Sequence, residues 1–456
     1  MTNKHSRKTF RQRQEDMLQQ LRNEISSGIK ATGDYLPSEK TLSEQFGLSN
    51  KTVRQVLDML VDEQLIEKIP RVGNLIVNLK EQKSITLRLG HHESTMRETE
   101  LLELLAAFHK EYPHIRVQLV TLPNNSPEML KQYIDFGLID VMTLNDAECQ
   151  KFVETGNRDY LTPLEKKPDM YSFLSKAFME DGELLAQPFI FSPSILCYNR
   201  DHFKEKGLLE PDSSWNWDEC FETAEKLAVE NERIGFHFSV SERNRFAVFL
   251  LQNGAVFERN AAGNMEICGT PMMEGIRYYK ELISNRLTNL LSEQDASFRT
   301  EELFAQGKVS MMITTYLGLN HIRKSNIHYE VAPLPNLKAP ATLLITIGLA
   351  VNQQSPNLEA ARLLVDFLTD YKAQLIIRQK TVSLPSLKTA AEWVGKEIGY
   401  RPSRFMMYRE IMPTFRYGSE LGLKESEWRT FFNEVLMYWS GLETEESMCT
   451  RLEGLL

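Results

Sequence analysis

The chain has 456 residues, 42% of them hydrophobic and 25% charged, with 23 Gly and 18 Pro, a composition that excludes disordered, collagen-like and disulfide-stapled classes and predicts two or three globular domains. The longest greasy run, Leu343 to Val351, is broken by Thr346 and Gly348 and falls short of the ~18 to 20 residues a membrane-spanning helix needs, so no membrane partner is expected. The net charge of −9 is unevenly spread: residues 1–80 hold 13 Lys+Arg against 10 Asp+Glu, and the other 376 hold 40 against 52, so only the amino-terminal part suits a polyanion.

The first residues are basic but lack an apolar core and a small-residue cleavage site, which predicts no secretory signal and a cytoplasmic protein. Cys149, Cys197, Cys220, Cys268 and Cys449 are odd in number and contain no Cys-x-x-Cys pair, so reduced, mostly buried thiols are expected. Met17, Leu18, Leu21, Ile25 and Ile29 recur at helical steps, predicting a first helix that ends near Gly28. Ser38, Leu42 and Phe46 predict a second, stopped by Gly47. Ser49 caps a third, whose buried stripe is Val53, Val56, Leu57 and Leu60 and whose outward face begins at Asn50 and Lys51. Two short strands, Leu65–Ile69 and Asn74–Asn78, flank the basic loop Pro70-Arg71-Val72-Gly73. Three helices and a hairpin make a winged helix-turn-helix.

The run from Leu36-Pro37-Ser38-Glu39-Lys40 through Phe46-Gly47-Leu48-Ser49-Asn50-Lys51-Thr52-Val53-Arg54 to Leu57 resembles the DNA-binding domain of the GntR family of bacterial transcription regulators. The resemblance implies contacts with double-stranded operator DNA at Lys40, Asn50, Thr52, Arg54 and Gly73. Ser49, Lys51 and Arg71 join them as the cap, the exposed helix start and the basic wing. Lys40 and Asn50 stand where the family pattern has Arg, which implies an operator unlike the family's commonest one. Two half-sites read by one protein imply a homodimer.

Beyond the hairpin, Ser84 to Gly90 predicts a strand, Leu101, Leu102, Leu105 and Phe108 a helix, and Ile115 to Val120 a second strand. Met129 to Ile134 and then Ile139 to Met142 repeat the unit. Repetition predicts a mostly parallel sheet with helices on both faces and ligands at the carboxyl ends of its strands. Five ordered segments resemble the family 1 extracellular solute-binding proteins of bacteria: Phe108 to Val117, Leu196 to Leu208, Trp217-Asp218-Glu219, Phe304 to Ile313 and Val331 to Pro335. That resemblance implies two α/β lobes of the type II periplasmic-binding-protein kind, crossed near 187–198 and 341–351, with the helices 428–439 and 444–455 along the outside.

The whole is therefore expected to be multidomain: a winged helix-turn-helix over 1–79, a linker over 80–84 and a two-lobed solute-binding domain over 85–456. Strand ends offer His91, His92 and Glu93, then Asn145 and Asp146, and Ser192 and Ser194 as ligand-binding candidates. The family's sugar-stacking aromatic position falls near Tyr316, and Gly348 belongs to the shortened glycine run before the second crossing; a sugar or oligosaccharide is the implied effector. Adjacent histidines on an extended chain point apart, so no metal is expected. The chain has no Gly-x-Ser-x-Gly, His-Glu-x-x-His, phosphate-binding Gly-x-x-x-x-Gly-Lys or Gly-x-Gly-x-x-Gly motif, so no catalytic residue and no cofactor is expected. The alternative, a receptor component of an ABC importer, predicts an export signal and a lipidation cysteine, which this amino terminus does not show.

Overall fold

The computed structural model describes residues 10–26, 29–70, 72–77, 84–122, 126–240, 242–261, 263–287, 300–395 and 400–455. They fall into two compact units, Met1–Ile85 and Thr86–Leu456. The linker expected over 80–84 lies, apart from Ser84, outside the described residues.

The first unit contains α1 (Phe10–Ser26), α2 (Glu39–Phe46), α3 (Asn50–Asp62), β1 (Ile66–Ile69) and β2 (Gly73–Ile76). Local chemistry sets the helix ends. Ser38 Oγ accepts the Thr41 N–H at 3.2 Å to start α2, which stops at Gly47, φ +62°, a left-handed position that a side chain would strain. Ser49 Oγ accepts the Thr52 N–H in the same way to start α3. Met17, Leu21 and Ile25 of α1 close over Leu42, Val53, Val56, Leu57 and Leu60, with Ile66 and Ile76 sealing the hairpin end of this core. Ile29, expected on the buried stripe of α1, is exposed because that helix has already ended.

The second unit opens with β3 (Ile85–His91), α4 (Glu93–Thr99), α5 (Leu101–Glu111), β4 (Ile115–Thr121), α6 (Pro127–Asp135), β5 (Val141–Asn145), α7 (Asp146–Phe152) and α8 (Ser172–Lys176). The small hairpin β6 (Met179–Glu180) and β7 (Glu183–Leu184) precedes the long strand β8 (Gln187–Asn199). Then come α9 (Arg200–Lys206), α10 (Trp217–Leu227), β9 (Ile234–His237), α11 (Arg243–Gln252), β10 (Glu258–Arg259), β11 (Met265–Glu266), α12 (Pro271–Glu281), α13 (Thr300–Ala305), β12 (Val309–Thr315) and β13 (Tyr329–Ala332). The chain returns through β14 (Thr342–Val351), α14 (Leu358–Leu368), α15 (Tyr371–Lys380), β15 (Leu384–Pro385), α16 (Lys388–Ala391), α17 (Tyr408–Ile411) and β16 (Phe415–Arg416), and continues into α18 (Trp428–Trp439) and α19 (Glu445–Leu455).

The main sheet runs β4-β3-β5-β14-β8-β12-β9. It is mixed, where the repeating units alone predicted a mostly parallel sheet: β14 is antiparallel to β5 and to β8, and β12 is antiparallel to β8. The reason is that β8 and β14 carry the chain out of one lobe and back, so they run against each other. Each lobe keeps its own core. Ile139, Met142, Phe152, Leu184 and Ala350 belong to the first, and Trp217, Phe236, Phe249, Tyr279 and Phe431 to the second. The helices α18 and α19 lie on the second lobe with one face inward and one outward: Trp428, Phe431, Val435, Met448 and Leu452 are part of its core, whereas Arg429, Asn433, Met437, Glu446 and Thr450 are exposed.

The cysteines also differ from expectation. Cys149, Cys197 and Cys220 are free and buried, but Cys268 and Cys449, 181 residues apart, form a disulfide. Docking of α19 beside the turn after β11 brings their Cα atoms to 5.8 Å, within disulfide reach.

Candidate functional site

On the first unit the start of α3 is presented outward. Asn50, Lys51 and, one turn on, Arg54 are exposed, and Lys40 is exposed on α2. Arg54 Nε donates to Glu39 Oε2 at 2.7 Å while the side chain stays 63% exposed, a pair weak enough to be exchanged for another anion. Thr52 is the exception among the expected contacts. It is 4% exposed and its hydroxyl is 2.8 Å from Ser49 Oγ, so it fixes the helix start and does not face outward. Gly73 opens β2 at φ +148° beside the Tyr35 ring, a conformation that favours glycine. Arg71 lies outside the described residues.

On the second unit a cleft of about 490 Å³ separates the lobes at the carboxyl end of β5. Asn145, Asp146, Glu148 and Lys151 line it from the first lobe, and Arg243, Ala247, Trp428, Arg429, Phe432 and Asn433 from the second. Asn145 caps α7 in a reciprocal box with Glu148. Glu148 Oε2 also meets His92 Nε2 at 3.0 Å. Burial pulls the His92 pKa down, but the Glu148 hydrogen bond and charge, with Glu98 behind them, outweigh it and raise it. Asp146 Oδ1 accepts the Thr346 N–H at 2.8 Å, and burial, aided by the Glu425 charge, pushes its carboxyl up to about 7.

Across the cleft, the Arg243 guanidinium makes two hydrogen bonds to the buried Glu425 carboxylate and lies 4.8 Å over the Trp428 ring. Glu154, just after α7, accepts the backbone N–H groups of Glu425 and Ser426 at 3.2 and 3.0 Å, joining the first lobe to the segment that starts α18. The arrangement offers carboxylates, guanidinium groups, amides and aromatic faces around one open space, the polar and apolar mixture of a small-molecule site.

Of the ligand-binding residues expected from sequence, the structure brings Asn145 and Asp146 to the cleft. His91 is buried at the end of β3 with Nδ1 2.8 Å from the His92 carbonyl, and Glu93 is exposed at the first position of α4. Ser192 Oγ accepts the Leu317 N–H, and Ser194 is enclosed within the sheet. Tyr316 is a correction: it has no exposed surface and donates its hydroxyl to the Phe405 carbonyl at 2.8 Å, inside the core beside β12. Gly348 is another. A Cβ there would meet Phe178 at 2.9 Å and Ala186 at 3.0 Å, so it serves close packing of β14 and not the cleft. Sequence reasoning missed Arg243, Glu425 and the cleft-facing side of α18; the aromatic cluster Trp428 to Phe432 was the available signal.

Among the described residues, no group of His, Cys, Asp and Glu side chains could hold a metal ion, and no helix is long and apolar enough to cross a membrane.

Residues 94–375 match the family model of the bacterial extracellular solute-binding proteins, and residues 13–76 match that of the bacterial regulatory proteins of the gntR family. The chain belongs to the solute-binding family and carries a GntR-type DNA-binding domain ahead of that region. The sn-glycerol-3-phosphate-binding periplasmic protein UgpB of Brucella abortus is 24% identical over 324 residues, covering 65% of this chain and 71% of that protein. A solved structure of the ABC substrate-binding protein Lmo0181 from Listeria monocytogenes, in complex with cycloalternan, superposes with a TM-score of 0.68 at 20% identity, over 81% of this chain and 97% of that one. Maltose-bound MalE3 of T. maritima gives 0.65 at 18% identity, over 81% and 98%. These likenesses establish the two-lobed fold. The chain is a regulator-type DNA-binding domain joined to a solute-binding domain.

Proposed function

We propose that the protein is a one-component transcription regulator of the cytoplasm, acting as a homodimer on operator DNA, whose DNA affinity is set by a solute held between the lobes. The observation that carries this reading is the pairing, in one chain, of an outward-facing α3 start (Asn50, Lys51, Arg54) with a cleft of about 490 Å³. That volume lies within the roughly 300 to 1,000 Å³ of small-molecule sites. The partly exposed Phe432, beside Asn145, Asp146 and Asn433, suits the apolar face and hydroxyl rim of a sugar or oligosaccharide. The names of the curated relatives favour a transport receptor as the second reading; the GntR-type unit over residues 13–76 is what separates this chain from it.

The test is a footprint of the promoter upstream of the protein's own gene, with and without a panel of sugars and oligosaccharides. Protection that changes with one of them supports the reading. No protection at low salt removes the DNA-binding half, and protection indifferent to every solute removes the control half.

A further inference from the structure

The disulfide Cys268–Cys449 lies outside the DNA-reading face and the cleft lining, yet it is tied to the cleft by a short series of contacts. Cys449 sits on α19 and is 1% exposed, whereas Cys268 is exposed in the turn between β11 and α12. Near the disulfide, Glu453 of α19 accepts the Ile267 and Cys268 N–H groups only at 3.4 and 3.5 Å. From α19, Arg451 reaches Glu434 of α18 at 2.8 Å. The same α18 presents Arg429, Phe432 and Asn433 to the cleft. The covalent link is thus the tightest tie between the β11–α12 turn and the helix pair behind the cleft wall.

We propose that Cys268 and Cys449 form a reversible thiol–disulfide pair, exchanged with low-molecular-weight disulfides of the glutathione class, and that its state sets how firmly α18 and α19 are held. The proposal rests on the cytoplasmic-regulator reading only for its biological sense, because disulfides of reducing compartments are mostly transient or regulatory and exposed ones are the labile kind. In the oxidising direction the Cys268 thiolate attacks the small disulfide, forming a mixed disulfide and releasing one small thiolate. The Cys449 thiolate then attacks the Cys268 sulfur and releases the second. Two electrons pass from the protein to the small disulfide, one S–S bond is exchanged for another, and the two thiol protons are left on the two small thiols. Cys268 is the entry point because it alone of the pair is exposed; Cys149, Cys197 and Cys220 are buried and stay out of the exchange.

The full chain, without DNA or solute, is equilibrated in mixtures of reduced and oxidised glutathione, quenched with N-ethylmaleimide and mapped by mass spectrometry. The linked fraction should fall from about nine-tenths to about one-tenth over roughly a hundredfold rise in the ratio of reduced glutathione squared to oxidised glutathione. Amide exchange in α18 and α19 should be at least about threefold faster in the reduced chain. The Cys268→Ser chain should exchange at the fast rate at every ratio; the reduced unsubstituted chain gives the same comparison should that variant fold poorly. A pair that stays linked in reduced glutathione alone, or stays fully alkylated in oxidised glutathione alone, overturns the proposal, as does an exchange rate indifferent to oxidation. None of these readouts uses DNA or solute, so failure here is distinct from failure of the regulator reading.

Discussion

Arg243 and Glu425, 182 residues apart in sequence, meet in a two-pronged ion pair at 2.5 and 2.8 Å on the wall of the cleft. The Glu425 side chain is 3% exposed and that of Arg243 30%. Burial raises the Glu425 pKa, and the Arg243 charge works against that rise. Replacing Arg243 with Ala leaves a buried carboxylate without its main partner and removes the cation over Trp428. The expected cost is about 3 kcal/mol, at the low end for a buried pair because Arg243 is partly solvated. Urea unfolding of the variant checks it, and a loss under about 1 kcal/mol would mean that Glu425 finds water or protonates without difficulty.

Asp146 gives a pH prediction of definite sign. Its folded pKa near 7 lies above its ordinary 3.8, so the folded chain keeps a proton that the unfolded chain releases between about pH 4 and 7. Stability from this group is therefore lost as pH rises through that window. Glu98, buried and raised from 4.5 to about 7, acts in the same direction. His202, lowered to about 4 by burial and the Arg233 charge, acts in the opposite one, so the readout is the comparison with Asp146→Asn, whose amide oxygen can still accept from Thr346. The variant should gain on the parent steadily from pH 4 to 7 in thermal unfolding. A constant difference across that range would contradict the assignment.

On the DNA side, Arg54→Ala should weaken specific operator binding by about 1 to 3 kcal/mol if Arg54 leaves Glu39 to read a base edge. Lys40→Ala should lower affinity for all sequences and reduce the salt slope by about one. Thr52→Ala should act through stability instead, by about 1 kcal/mol or less, since its hydroxyl pairs with Ser49 inside the helix start. Anisotropy titrations at several salt concentrations separate the three outcomes.

The solute half predicts a thermal effect. A sugar or oligosaccharide at about 100 times its dissociation constant should add roughly 2.7 kcal/mol to the unfolding of the two-lobed unit. Phe432→Ala should reduce that gain, with circular dichroism first showing the variant folded. No shift across sugars, oligosaccharides, amino acids and peptides would point to a protein contact between the lobes instead.

Much of the first unit was legible because local and global signals agree there. Ser38, Gly47 and Ser49 mark helix ends by their own hydrogen-bonding and backbone chemistry, and the stripe Val53, Val56, Leu57, Leu60 is buried as its period requires. Ile29 and Thr52 escaped, because periodicity alone did not stop α1 at Ser26 and an exposed helix start does not say which side chain turns back on its cap. The two-lobed fold was legible from ordered segments, but the cleft was not. Its second wall comes from α11 and α18, which are about 100 and 280 residues downstream of Asn145 and Asp146 and reach the cleft only through the long-range returns of the chain. Tyr316 and Gly348 failed for a related reason: a position carried over from a family pattern fixes the strand, but packing around that strand decides whether a side chain reaches solvent or core.

A flexible Gly/Ser segment of about 15 residues inserted after Gln82 should leave DNA binding and solute binding intact while removing most of their coupling, because such a segment behaves as a random coil. Operator affinity measured with and without saturating solute in both chains checks this. A lengthened protein that keeps the full effect would place the transmission elsewhere.

The most direct test of a solute-controlled regulator is the full thermodynamic cycle on the unmodified protein. Operator affinity is measured by anisotropy with and without a saturating stabilising sugar, and sugar affinity by calorimetry with and without saturating operator, at one salt concentration. The two ratios should be equal, at roughly 5- to 150-fold, the span of a coupling of about 1 to 3 kcal/mol. Ratios of one in both directions, with each ligand still binding, would contradict solute control.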